Sequence, residues 1–427
     1  MTPSETHSAI RAVWSIESAR LIASLARIVR DVGVAEELAH DALVAALEQW
    51  PEQGVPANPG AWLMATAKHR AFNVLRRGKM FERKHEELGH QAEAEAEPDR
   101  VARELERVLD DDVGDDLLRL IFTSCHPVLS TEARVALTLR LLGGLTTDEI
   151  ARAFLVPEAT IAQRIVRAKR TLSEKRVPFE VPRGVELGPR LASVLEVIYL
   201  IFNEGYSASA GDDLMRPALC EEALRLGRVL AGLAPDEPEV HGLVALMEIN
   251  ASRSAARASA SGEPILLLDQ NRARWDGLLM RRGFAALDRV EALGGAQGPY
   301  ALQAAITACH ARAEAPEDTD WARIAALYGE LSALFPSPVV ELNRAVAVSM
   351  AEGPAAALEI VDALASEPAL SRYHLLPSAR ADFLVKLGRL QEAGSEFERA
   401  ASLTQNLRQR ERLLERAAAC ARRVGRD

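Results

Sequence analysis

The sequence predicts an all-α protein: two small helical units joined by an acidic connector, then an irregular α-solenoid. Three observations predict it. Alanine, leucine, glutamate and arginine, which lose little freedom in a helix, dominate the 427 residues. Aromatic residues make up only 5%, and β-branched alternating runs are scarce. Apolar residues recur at spacings of three and four through most of the chain. With 48% apolar and 26% charged residues, a large core is expected and wholesale disorder is not. The length fits about two to four domains of ~100–200 residues each.

Residues 9–84 form the first unit. IESARLIASLARIVRD places Ile16, Leu21, Leu25 and Ile28 near one helix face. AEELAHDALVAALEQW puts Leu38, Ala42, Ala45 and Ala46 on one face, with Glu37, His40, Asp41 and Glu48 largely off it. Pro51 is expected to stop that helix. NPGAWLMATAKHRAFNVLRR follows, with Asn58 as N-cap and Pro59 at the first helical position. It ends in bases: Arg76, Arg77 and Lys79, then Arg83 and Lys84.

Residues 85–116 are strongly acidic and poor in large apolar side chains, which predicts a linker holding one short helix, VARELERVLD. Fully extended, the linker reaches on the order of 100 Å at ~3.3 Å per residue. Residues 117–176 form the second unit. There Ser130 or Thr131 caps STEARVALTLRLLGG, and Gly143-Gly144 stops it. The proline-rich VPFEVPRG, residues 177–184, marks a boundary.

From residue 185 to 427, helix follows helix. CEEALRLGRVLAGLAP ends at Pro235 and RIAALYGELSALFP at Pro336; GPAAALEIVDAL begins at Gly353 and GRLQEAGSEFERAASL at Gly388. The last carries Ala393, Phe397 and Ala400 in an A-x-x-x-F-x-x-A spacing. This resembles the second helix of a tetratricopeptide repeat, whose period is about 34 residues. A lone helix pair cannot bury its apolar stripe, so stacked pairs are expected.

LTTDEIARAFLVPEATIAQRIVRAKRTL, residues 145–172, carries the clearest signal. Thr146 and Glu149 fit a capping box, LVP a tight turn, and Pro157 the opening of a second helix. In that helix Ile161, Ile165, Ala168 and Leu172 share a buried face. Thr160, Gln163, Arg164, Arg167 and Arg170 lie on another, and Lys169 and Lys175 extend the charge. This is helix-turn-helix geometry, in which the second helix enters the major groove. Its early side chains reach base edges and the later bases hold phosphates. An ordinary helical hairpin with a solvated basic face has the same pattern. The whole chain is acidic, with 61 acids, 51 bases and a formal charge of −10. Residues 117–176, however, carry ten bases against five acids, which leaves +5. Nucleic acid responds to the field within a Debye length of ~8–10 Å, not to the total charge.

Taken in order, these parts resemble the bacterial extracytoplasmic-function sigma factors. AEELAHDALVAALEQWP is similar to region 2.2, NPGAWLMATAKHRAFNVLRR to regions 2.3 and 2.4, and residues 145–172 to region 4.2. LLLDQNRARWD, GPYALQAAITACHARA and PSPVVELNRAVAV extend the likeness to the group with a long tetratricopeptide-like C-terminal extension. The resemblance implies sigma region 2 over 9–84, sigma region 4 over 117–176 and a regulatory extension over 185–427. Its partners would be core RNA polymerase, at the β′ clamp helices and β flap, and promoter DNA. Glu37, His40 and Asp41 would face polymerase. Trp62, Lys68, His69, Arg70, Asn73, Arg76 and Arg77 would open and read the −10 element. Thr160, Gln163, Arg164, Arg167, Lys169 and Arg170 would meet the −35 element. Where members often carry A-R-N followed by Asp, this chain has Ala67, Lys68, His69 and Asn73. The acidic linker would thread a basic channel of polymerase, with Glu93, Glu95, Glu97 and Asp110–Asp112 supplying the charge.

Other readings remain open at this stage. Trp62 also suits a core position, and Arg76 and Arg77 a solvated helix end favoured by the dipole. Asp269, Arg272, Arg274, Trp275 and Asp276 could form a polar docking site for a peptide or protein. They could equally form a helix start with Asp269 as cap and Trp275 in the core. The whole could be a stand-alone helix-turn-helix regulator with a repeat-type sensor, which would leave residues 9–84 unexplained, or a repeat scaffold. No glycine-rich phosphate loop, metal-ligand spacing or catalytic triad supports an enzyme, so no catalytic residue, metal or cofactor is assigned. Cys125, Cys220, Cys309 and Cys420 are scattered, without a C-x-x-C pair or a secretory signal before them. No run approaches the ~20 apolar residues of a membrane span. The expectation is a cytoplasmic protein with reduced thiols and no membrane partner.

Overall fold

The computed structural model describes residues 3–87, 113–154, 156–208, 215–259, 263–404 and 406–424. The protein is all-α: no strand occurs among the described residues, and one isolated bridge joins Ala258 and Pro264. Two compact units divide at Ile198/Tyr199.

The first unit holds α1 (Pro3–Val29), α2 (Val32–Gln53), α3 (Pro59–Glu87), α4 (Val113–Ser124), α5 (Thr131–Leu141), α6 (Thr147–Phe154) and α7 (Glu158–Glu174). It also holds the start of α8 (Leu187–Tyr206). Helix α1 packs on α2, α3 and α4; α5 and α6 pack on α7. Local chemistry sets the ends. Asp31 accepts from the Gly33 and Val34 amides at 2.8 and 3.0 Å, capping α2. Asn58 accepts from the Ala61 amide at 3.1 Å and caps α3, as expected. Ser130 accepts from Ala133, and Gly144 (φ 66°) follows α5 in the left-handed region that glycine tolerates.

Two expectations fail for physical reasons. Ile16 is 67% exposed, whereas Leu21 and Leu25 are buried. At ~100° per residue Ile16 lies about 140° around the helix from Leu21, so the stripe excludes it. Pro51 lies inside α2 and does not stop it. A proline in the last turn forfeits one backbone bond, and its exposure leaves that carbonyl to solvent. The stop comes at Gly54 (φ 85°), whose amide donates to the Trp50 carbonyl at 2.9 Å.

VPFEVPRG lies within the first unit, because the helix after it docks back. Ser193 Oγ donates to the Cys125 carbonyl at 2.6 Å, Arg190 to the Phe122 carbonyl at 3.0 Å, and Arg134 to Glu196 at 2.9 Å. The helix VARELERVLD and the linker acids at 93, 95, 97 and 110–112 lie outside the described residues. Asp115 and Asp116 belong to the first turn of α4, where the helix dipole favours acids.

The second unit holds α9 (Pro217–Leu233), α10 (Pro238–Ser252), α11 (Gly277–Ala292), α12 (Pro299–Arg312), α13 (Trp321–Leu334) and α14 (Pro338–Ala351). It continues through α15 (Pro354–Leu364), α16 (Leu375–Lys386), α17 (Leu390–Leu403) and α18 (Leu407–Val424). Each helix packs on its sequence neighbour, and α10 also on α12. Ala393, Phe397 and Ala400 are buried in one cluster with Leu384, Leu413 and Ala417. Consecutive helices thus share their apolar stripes, as stacked pairs require. Gly353 (φ 109°) and Gly388 (φ 76°) turn the chain between them. None of the described helices is long and apolar enough to cross a membrane.

Phe397 is 1% exposed, so Phe397→Ala should cost about 3–5 kcal/mol in denaturant unfolding. Ile16→Ala should stay within about 0.5 kcal/mol. A costly Ile16 truncation would contradict the placement of α1.

Candidate nucleic-acid interface

The helix-turn-helix is built from its caps inward. Thr146 and Glu149 form a reciprocal capping box: the Glu149 amide donates to Thr146 Oγ1 at 3.2 Å, and the Thr146 amide to Glu149 Oε2 at 2.8 Å. The Pro157 carbonyl accepts the Thr160 amide at 2.9 Å and opens α7. Ile161, Ile165, Ala168 and Leu172 are buried, as their spacing predicts. The opposite side of α7 is open. Gln163, Arg167 and Arg170 are exposed, and Thr160 and Arg164 partly so. Arg170 is bonded to Glu174 at 2.6 Å, a surface pair that a phosphate can displace.

Lys169 is not on that open face. It is paired with the carboxylate of Glu36, which is 3% exposed on α2. Arg140 of α5 donates to the same carboxylate at 2.6 Å. Arg140 also donates to His40 Nε2 at 3.1 Å, while His40 Nδ1 donates to the Glu36 carbonyl at 2.8 Å. Those bonds assign the neutral tautomer protonated at Nδ1. One carboxylate therefore joins α2, α5 and α7 and takes up Lys169 of the α7 face, while Arg140 takes up His40 of the α2 face. Burial alone would raise the Glu36 pKa, but Lys169 and Arg140 overcome it and hold the carboxyl below its ordinary 4.5.

The remaining candidates sit on α2 and α3. Glu37 and Asp41 are exposed, and Asp41 pairs with Arg70 at 3.3 Å. His40 is half-buried, its ring 5.3 Å from Trp14. Trp62 is half-buried, edge-on to the buried Trp50 at 5.4 Å, so it packs against the core with part of its ring open. Lys68 is partly exposed, and His69, Asn73 and Arg76 are exposed. Asn73 Nδ2 donates to His69 Nδ1 at 3.4 Å. The side chain of Arg77 lies outside the described residues.

In the second unit, Asp276 rather than Asp269 is the helix cap, accepting from Leu278 and Leu279 at 2.8 and 3.1 Å. Trp275 is buried, and Arg272 donates inward to the His310 and Ala313 carbonyls at 2.5 and 2.9 Å. Asp269 and Arg274 are exposed. The five residues thus do not form one open docking patch. Cys125 is fully enclosed, with its thiol pushed up to about 11 by burial, and a nucleophilic thiolate is disfavoured there.

Glu36 and Arg140 escaped sequence reasoning. The usable signal is spacing: Glu36 shares the Val32, Ala35 and Ala39 side of α2, and a carboxylate there demands cations.

Comparison with known proteins agrees with this geometry. Residues 16–80 match the family model of sigma-70 region 2, and residues 119–172 that of sigma-70 region 4. Residues 190–291 match a family of unknown function, DUF6596. An uncharacterized protein of Rhizobium meliloti (strain 1021) is 42% identical over 383 residues, which is 90% of this chain and 89% of that protein.

Glu36→Gln should cost the first unit about 1.5–3 kcal/mol at neutral pH, read by denaturant unfolding on the tryptophans of that unit. Because the folded carboxyl titrates below 4.5, its stabilisation is present above that value and lost as pH falls beneath it. The wild type should lose the increment on acidification and the variant should not. Parallel pH curves for the two proteins would contradict the clamp.

Proposed function

This chain belongs to the sigma-70 family, and from that premise we propose that it is an extracytoplasmic-function type factor that reads promoters through two separate modules. The observation that carries the reading is the open face of α7, where Gln163, Arg164 and Arg167 stand opposite a fully buried stripe. Arginine and glutamine reach major-groove edges, and Arg170 holds phosphate. In this reading residues 117–176 meet the −35 element and the β flap. Residues 9–84 meet the β′ clamp helices through Glu37, His40 and Asp41. They meet the −10 element through Lys68, His69, Arg70, Asn73, Arg76 and Arg77, with the open edge of Trp62 against an unstacked base. The acidic linker, 85–116, follows a basic channel of polymerase. The tetratricopeptide-like extension, 185–427, regulates the factor in cis, in the cytoplasm.

The Glu36 clamp adds a state to this scheme. Elements about 25 base pairs apart are separated by about 85 Å at ~3.4 Å per base pair. Helix α7 shares one carboxylate with α2, which packs on α3, so α7 and the −10-reading α3 cannot stand at both elements at once. The arrangement is a closed form of the free factor, and core binding competes with it for His40 and the α2 face. Lys169 joins the −35 contacts only after release.

Run-off transcription with purified core polymerase tests this. Promoter-specific transcripts should appear only with the protein present, and Gln163→Ala with Arg167→Ala should lower them at least about tenfold. Tight duplex binding without core-dependent transcripts would instead mark a stand-alone regulator. Truncation after Tyr206 keeps the α8 residues that dock into the first unit. Transcription unchanged by that truncation would refute control in cis.

A further inference from the structure

Between α10 and α11 the chain gathers positive charge that the fold does not neutralise. Arg253 follows α10, Arg257 follows the turn Ser254–Ala256, and Arg272 opens the turn before Trp275. Among the described residues none of the three is paired with a carboxylate. Arg253 donates to Asn250 Oδ1, Arg257 to the Tyr206 carbonyl, and Arg272 to two carbonyls of the α12 end. Aromatic faces hold the guanidiniums instead. Arg257 lies 3.6 Å from the Tyr206 ring centre, Arg272 4.8 Å from that of Trp275, and Arg253 5.9 Å from both. Burial depresses the pKa of Arg257 and of Arg272, and the charge on Arg253 depresses both further. His310 beside them is held at about 4 by burial and by Arg253 and Arg272, so it adds no charge near neutrality.

The donors are also left over. Arg253 Nε, Arg272 Nε, Arg272 Nη2 and Trp275 Nε1 are buried without an acceptor among the described residues. Trp275 is 6% exposed and Gln270, whose Oε1 is likewise unbonded, 8%. Buried donors normally find a partner, so this cluster is short of acceptors among the described residues. Arg253 and Gln270 also line a cleft of about 380 Å³ together with Tyr206, Arg257, Arg412 and Arg416. Among the described residues no aspartate or glutamate lines it, and Pro264, Ile265 and Leu413 supply an apolar wall. Arg416 is already paired with Asp382, which leaves Arg253, Arg257 and Arg412 without a carboxylate partner among the described residues.

We propose that this cleft binds a small organic oxyanion, with its phosphate or carboxylate head between Arg253, Arg257 and Arg412, which line it. Its body lies on the apolar wall, and Gln270 Oε1 accepts from a hydroxyl or a protonated oxygen of the ligand. The size matches small-molecule sites of ~300–1,000 Å³. Guanidinium forks suit planar or tetrahedral oxyanions better than point cations do. The inference requires neither polymerase nor DNA, so its failure and that of the sigma reading are distinguishable.

The test is calorimetric titration of the full chain with inorganic phosphate, pyrophosphate and citrate at ionic strength matched with chloride. Saturable binding at about 1 mM or tighter is expected for at least one probe. Phosphate against citrate tells a phosphate head from a carboxylate one. Arg412→Gln and Arg253→Gln each remove one guanidinium fork from the cleft. Each should weaken binding about tenfold or more. Arg257→Lys keeps the charge without the fork and carries the same expectation if either of the others misfolds. Arg253→Gln should also leave the free protein at least as resistant to denaturant, because it relieves repulsion among like charges. No saturable heat with any probe, binding equal in wild type and variants, or binding of an acidic peptide alone would overturn the proposal.

Discussion

A carboxylate at 3% exposure cannot be left without cations, and that requirement at Glu36 sets the arrangement of the first unit. Arg140 reaches it from α5 and Lys169 from α7, two helices far along the chain from α2. Their side chains keep about a fifth of their own exposure, so they remain partly hydrated while Glu36 does not. Buried pairs of this kind often roughly break even against an apolar replacement. The contribution of the clamp is therefore geometric. It fixes which face of α7 stays open, and it holds His40 and Arg140 together beneath α2.

Much of this was legible in the sequence because it is local chemistry. The capping box at Thr146 and Glu149, the Asn58 cap and the buried stripe of α7 each depend on residues within one or two turns. Ile16 and Pro51 depart from expectation for equally local reasons: helix angle turns Ile16 away from the buried stripe, and an exposed proline in the last turn of α2 does not end it. The clamp belongs to another class. Lys169 lies at the edge of the polar face by spacing, and only the arrival of α2 decides that it turns towards Glu36. A helical period flags Glu36 as misplaced but cannot name the cations that answer it.

The second unit follows the same division. Its stacking was legible from small and large residues at Ala393, Phe397 and Ala400. The fate of DQNRARWD was not. Composition left an open polar patch and a helix start with Trp275 in the core equally open; the structure buries Trp275, turns Arg272 inward and caps α11 with Asp276 rather than Asp269. The decisive partners, the carbonyls of His310 and Ala313, lie at the end of α12 and carry no sequence signature. Both units thus place polar groups in buried positions where long-range partners determine their role.

The most direct test is the distance between α2 and α7 before and after polymerase binds. Labels at Glu48→Cys and Glu174→Cys, both exposed, with the half-buried Cys309 replaced by serine, report it by spin-label or fluorescence methods. The free protein should give a single short distance. The polymerase–promoter complex should give one longer by tens of ångströms, as elements about 85 Å apart require. An unchanged short distance in a complex that initiates transcription would contradict the closed form and the division of promoter reading between the two modules.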